Sequence, residues 1–104
     1  MRAQSLAALG RVDEVLAILK TGAQTRQRLW RAEPSDASRA RDYAIAVAMM
    51  ADVEADAGRT ADACARYAEV TAIFDDLRRG GRFAGLDDGN SMKLVRDRQA
   101  VHCR

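Results

Sequence analysis

Residues 42–79 read DYAIAVAMMADVEADAGRTADACARYAEVTAIFDDLRR, and the periodicity of this stretch decides the fold. In its second half Ala63, Tyr67, Val70, Phe74 and Leu77 recur at steps of four and three, which aligns them along one face of an α-helix. Such a stripe must be buried against another element. Asp62 with Arg66, and Arg66 with Glu69, sit at i,i+4 and i,i+3, where opposite charges meet on a solvated helix face. In the first half Tyr43, Val47 and Met50 occupy one face and Ile45, Met49 and Val53 nearly the opposite one, with alanines at 44, 46, 48, 51, 55 and 57. A helix apolar on both sides is sandwiched between neighbours, and small alanines let those neighbours come close. Ala57-Gly58-Arg59-Thr60 joins the halves, so an antiparallel helical hairpin is expected.

Upstream, Leu6 and Leu9 suggest a short helical segment that stops near Gly10. A second helix is expected from about Val12, with Asp13 and Glu14 in its first turn and Val15, Leu16, Leu19, Ala23, Leu29 and Trp30 on its apolar side. It should end near Ala32, because Pro34 disfavours helix at the residue before it and Ser35 or Asp36 can cap the next helix. Downstream, GGRFAGLDDGNS over residues 80–91 reads as a glycine-rich connection, with Phe83 and Leu86 pinning it to the core. Asn90 or Ser91 should cap a last helix, Met92 to about His102, whose Met92, Leu94 and Val95 cover the hairpin while Lys93, Arg96 and Arg98 face water.

A single proline in 104 residues, with 48% hydrophobic content, fits one small all-α domain. The net charge of +2 is uninformative, but its distribution is not. Residues 1–41 carry eight basic and four acidic side chains, 42–77 two and eight, and 78–104 seven and three, a run of +4, −6, +4. An acidic hairpin between basic ends could select a basic partner or pair with copies of itself, although charged faces are most often simply solvated.

No apolar run approaches the ~20 residues that span a bilayer, and no secretory leader is visible, so no membrane role and a cytoplasmic address are expected. Two cysteines make no disulfide framework, and Cys64, beside the buried stripe, reads as a small core hydrophobe. His102 and Cys103 offer two ligands where a metal site needs three or four. Gly80, Gly81 and Gly85 near Arg78, Arg79 and Arg82 lack the strand and the Gly-Lys-Ser/Thr context of a phosphate cradle. With one histidine near the end and carboxylates scattered over helix faces, no catalytic, cofactor or metal residues are assigned and no enzyme is expected.

Internal repetition carries the reading further. Leu9-Gly10-Arg11-Val12-Asp13-Glu14-Val15 aligns with Ala57-Gly58-Arg59-Thr60-Ala61-Asp62-Ala63 at an offset of 48, and the register continues with Leu19 over Tyr67, Ala23 over Thr71 and Leu29 over Leu77. Both glycines would then end an inner helix at a left-handed residue. Gly58, Ala63, Tyr67 and Val70 resemble the tetratricopeptide repeat: a turn glycine, a small residue, an aromatic and another small residue. Gly10, Val15 and Leu19 resemble it more loosely, as do Val47, Met50 and Ala51 in the first helix. The spacing of Arg28-Leu29, Ala32-Glu33-Pro34 and Arg41-Asp42-Tyr43-Ala44 looks like the repeats found C-terminal to some bacterial serine/threonine kinase domains.

The resemblance implies helical hairpins stacked as a short right-handed superhelix: a partial first repeat over 1–33, a second over 35–79, a loop over 80–90 and a capping helix over 91–103. It implies a non-catalytic scaffold that binds a protein or peptide, as in the regulatory tail of a bacterial signalling protein. The groove positions would be Ile45, Ala48, Met49, Asp52 and Asp56, giving an apolar groove with an acidic edge. Some members of the family grip a C-terminal carboxylate with lysine and asparagine; Ala48 and Asp52 stand there instead, so that activity is not expected. Because the first repeat begins midway through its inner helix, the open end is expected to pair with a second copy as a dimer. The alternative is nucleic-acid binding by the basic terminal segments, which lack interleaved aromatics.

Overall fold

The computed structural model describes residues 6–81 and 89–103, with side chains from 10 to 81 and 93 to 103. The described residues form four helices: α1 (Leu6–Ala32), α2 (Ala37–Asp56), α3 (Thr60–Arg79) and α4 (Gly89–His102). Each start and stop has a local cause. Glu33-Pro34-Ser35 breaks the chain, and Asp36 caps α2 by accepting from the backbone N–H groups of Ser38 and Arg39 at 3.0 and 3.3 Å. Ala57, Gly58 and Arg59 form the hairpin turn, where Gly58 takes φ of 79°, a conformation that costs a side-chain-bearing residue about 1–2 kcal/mol.

The packed pairs are sequential, α1 on α2, α2 on α3 and α3 on α4. The expected α3 stripe is the centre of the core: Ala63, Tyr67, Val70, Phe74 and Leu77 are α3's buried residues. Opposite them α2 presents Tyr43, Val47 and Met50, and Ala40, Ala44 and Ala51 are buried almost completely, which brings the backbones of α1 and α3 close to α2. The second apolar face of α2 is not buried to the same degree: Ile45 and Val53 are half-buried and Met49 is exposed. From α4, Val95 enters the core while Leu94 stands exposed.

Four expectations are corrected. Gly10 does not end a helix; α1 runs through it unbroken for 27 residues, and no positive φ occurs there. Helix-forming neighbours on both sides outweigh the ~1 kcal/mol that a glycine costs a helix interior. Cys64 is not a free core thiol but is bonded to Cys103, tying the end of α4 to the first turns of α3. Local spacing does not show this, because the partner lies 39 residues away. Arg66 does not pair along its own helix: its Nε lies 2.6 Å from Glu54 of α2, whose carboxylate is buried. Arg96 and Arg98 are not simply solvated: their side chains stay partly exposed but reach back to Asp75 and Asp52. Burial selects the Glu54 partner, since a carboxylate leaving water needs a cation more than an exposed one does. The acidic hairpin and the basic C-terminal segment therefore meet within one chain. The pinning role of Phe83 and Leu86 and the helix cover from Met92 fall outside the described side chains.

Candidate functional site

The groove positions Ile45, Met49, Asp52 and Asp56 follow one another at steps of four, three and four, and so run as one line along α2. The structure divides them between two regions. Asp52 and Asp56 line a hollow of about 280 Å³ together with Ala55, Tyr67 of α3, and Arg98 and His102 of α4. Ile45 and Met49 line a second, of about 270 Å³, with Arg26 of α1 and Arg41, Asp42 and Ala46. Ala48 is buried in the core and reaches neither. A third hollow of about 300 Å³ lies beside Asp56 against α1, lined by Arg11, Val12, Val15 and Val53. Asp56 is thus the residue shared by two of the three.

Asp52 is fully engaged: the Tyr67 hydroxyl donates to Oδ1 at 2.5 Å and the Arg98 guanidinium donates to Oδ2. Burial first, and then the bond to Asp52, pushes the Tyr67 phenol well above its usual range, so it stays a donor. The His102 ring stacks on Tyr67, with centroids 6.5 Å apart and an interplanar angle of 7°. Asp56 has no hydrogen-bond or ion-pair partner among the described residues and is exposed. With Asp52 and Arg98 paired, Asp56 is the carboxylate of the hollow left without an ion-pair partner among the described residues, beside the stacked Tyr67 and His102 rings. Among the described residues no three His, Cys, Asp or Glu side chains are grouped to hold a metal ion.

A second polar assembly stands on the far side of the hairpin. The Tyr43 hydroxyl donates to Glu69 at 2.7 Å, and its ring lies 5.7 Å from that of Trp30, joining α1, α2 and α3. Burial and then Glu69 push this phenol up to about 12.

Tyr67, Arg98 and His102 are not among the groove positions expected from sequence. The Tyr67 contact had a readable signal, because a buried tyrosine needs a partner for its hydroxyl and folding the hairpin at Gly58 sets residue 67 opposite the turn of α2 that holds Asp52. Arg98 had none, since it is 46 residues from Asp52 and the docking angle of α4 is set by tertiary packing.

Comparison with known proteins adds no relative. No protein-family model, curated protein or solved structure matches the chain. The helical architecture and the chemistry of the α2 face therefore carry the functional reading.

Proposed function

We propose that the chain is a non-catalytic protein-interaction module that takes a partner segment along the exposed line of α2. The observation that supports this is the line itself: Met49 is half exposed at one end, Asp56 is exposed and without a cation at the other, and hollows flank both. Seven residues of helix separate them, about 10 Å. A segment with an apolar side chain for Ile45 and Met49 and a lysine or arginine for Asp56, set about that far apart, fits the face. The side chains of the hollow, a paired carboxylate, a tied phenol and a stacked histidine, suit holding a charged segment rather than turning one over. The tetratricopeptide-like reading and the role as a tail of a bacterial serine/threonine kinase rest on the sequence resemblance.

Nucleic-acid binding by the basic ends is the weaker reading, because Arg96 and Arg98 of the C-terminal segment and Arg39 of the N-terminal one are already paired with Asp75, Asp52 and Asp36. We also propose that copies of the chain associate. Among the described residues no helix is long and apolar enough to cross a membrane. If the protein works in the cytoplasm, the Cys64–Cys103 pair is held there as thiols; the bond persists in an oxidising compartment.

Peptide display against the immobilised chain tests the binding proposal. Sequences pairing an apolar with a basic residue should be enriched, and the enrichment should vanish with Met49→Ala/Asp56→Lys. Equal enrichment on both proteins would place binding elsewhere.

A further inference from the structure

We propose that copies associate through the outer face of α1, with α1 of a second copy laid antiparallel across it; this rests on the self-association proposed above and names its surface. Val15, Ile18 and Leu29 are 42, 72 and 50% exposed, and with Gly22 they form one stripe flanking the side of α1 that packs on α2, with Val15 at the edge of the hollow it shares with Val53. Most of this stripe has a buried counterpart. The 48-residue register sets Val15, Gly22 and Leu29 over Ala63, Val70 and Leu77, which in α3 are covered by helices, among them the antiparallel α2. The same residue pattern on α1 lies open.

Charge identifies the occupant as a second copy and fixes its direction. Laying Gly22 against Gly22 in antiparallel sense sets Val15 opposite Leu29 and brings Glu14 within two residues, about 3 Å along the axis, of the opposite Arg28. Arg11 falls opposite Glu33, and the two-fold axis makes each pair twice. A parallel arrangement would set Glu14, Arg11 and Arg28 against themselves. Glu14 has no partner among the described residues, and Arg28 meets only the Thr25 hydroxyl, at 3.4 Å. Gly22 allows close approach at the crossing once the exposed Arg26 side chain, which donates to the Gly22 carbonyl at 3.4 Å, swings aside; an added Cβ would meet only the end of that side chain at 3.2 Å, so the fold of α1 itself does not require glycine there. One helix on one helix is a small interface, at the low end of the size range, so association is in the micromolar range or weaker.

Sedimentation equilibrium of the full chain from about 5 to 500 µM in low salt tests this. Wild type should form dimers. Ile18→Asp, at a position too exposed to affect folding, should be monomeric throughout. Glu14→Arg should weaken association about fivefold or more, and Glu14→Arg/Arg28→Glu should restore it. A wild type that stays monomeric overturns self-association, and this interface with it. A dimer indifferent to Ile18→Asp leaves self-association standing and overturns the α1 face. Loss with Ile18→Asp but no rescue by the charge exchange overturns the antiparallel register.

Discussion

The ion pair between Glu54 and Arg66 gives the sharpest test of the packing. Glu54 is the buried charged residue among the described residues, 3% exposed, and the Arg66 guanidinium at 2.6 Å is its cation. Replacing Arg66 by Met keeps much of the aliphatic stem and removes the charge. Breaking a fully buried pair from one side costs about 3–5 kcal/mol, because the remaining charge has no compensation. The Arg66 side chain is one-third exposed, so water can reach its place, and we expect a loss of about 2–3 kcal/mol. In a domain of this size that lowers Tm by roughly 10–20 °C. Removing both charges with Glu54→Leu/Arg66→Met should return stability to within about 1 kcal/mol of wild type, since desolvation of the pair disappears together with its attraction. Urea unfolding of the oxidised protein followed by circular dichroism measures all three, with unchanged m-values as the check on two-state behaviour. A single substitution that costs under ~1 kcal/mol, or a double variant less stable than the single, would show that Glu54 is not held as described.

Reducing the Cys64–Cys103 bond reopens a loop of 39 residues, worth about 4 kcal/mol by chain entropy; urea midpoints with and without reductant measure it, and hydrogen exchange should rise first in α4. The two tyrosines of the chain are both tied to carboxylates, so absorbance at 295 nm should show no phenol titrating at its ordinary pH near 10. Their folded-state pKa values lie above the unfolded value; that stabilisation is complete below pH 10 and is lost as pH climbs towards 12, where thermal melts should fall. Gly58→Ala should destabilise by about 1 kcal/mol because φ there is positive, whereas Gly10→Ala should stabilise by about 0.5–1 kcal/mol because Gly10 is helical with nothing near its Cβ.

Much of the architecture is legible in local spacing. The α3 stripe, the stop at Glu33-Pro34, the Asp36 cap and the Gly58 turn all follow from residues within about one helical turn of one another, and each is observed. Gly10 was misleading because the same residue serves a turn or a helix interior, and only the neighbours' packing separates the two. What was not legible depends on residues far apart in sequence. The partners of Arg66, Arg96, Arg98 and Cys64 lie 12, 21, 46 and 39 residues away, and choosing them requires knowing which helix sides meet. The groove line was half legible for the same reason. Its residues share a helix face by periodicity, but their division between two hollows, one holding Ile45 and Met49 and the other Asp52 and Asp56, is made by α1 and α4.

The central claim is that the α2 line is a binding face, and the most direct measurement is a ¹H–¹⁵N correlation titration of the labelled chain. The titrant is a peptide carrying one leucine and one arginine about 10 Å apart in its helical form, with a leucine-only control. The account predicts saturable shifts at Ile45, Met49, Asp52 and Asp56 that weaken with Asp56→Lys and are smaller for the control. Shifts confined to other faces, or none up to millimolar peptide while the fold is intact, would contradict it.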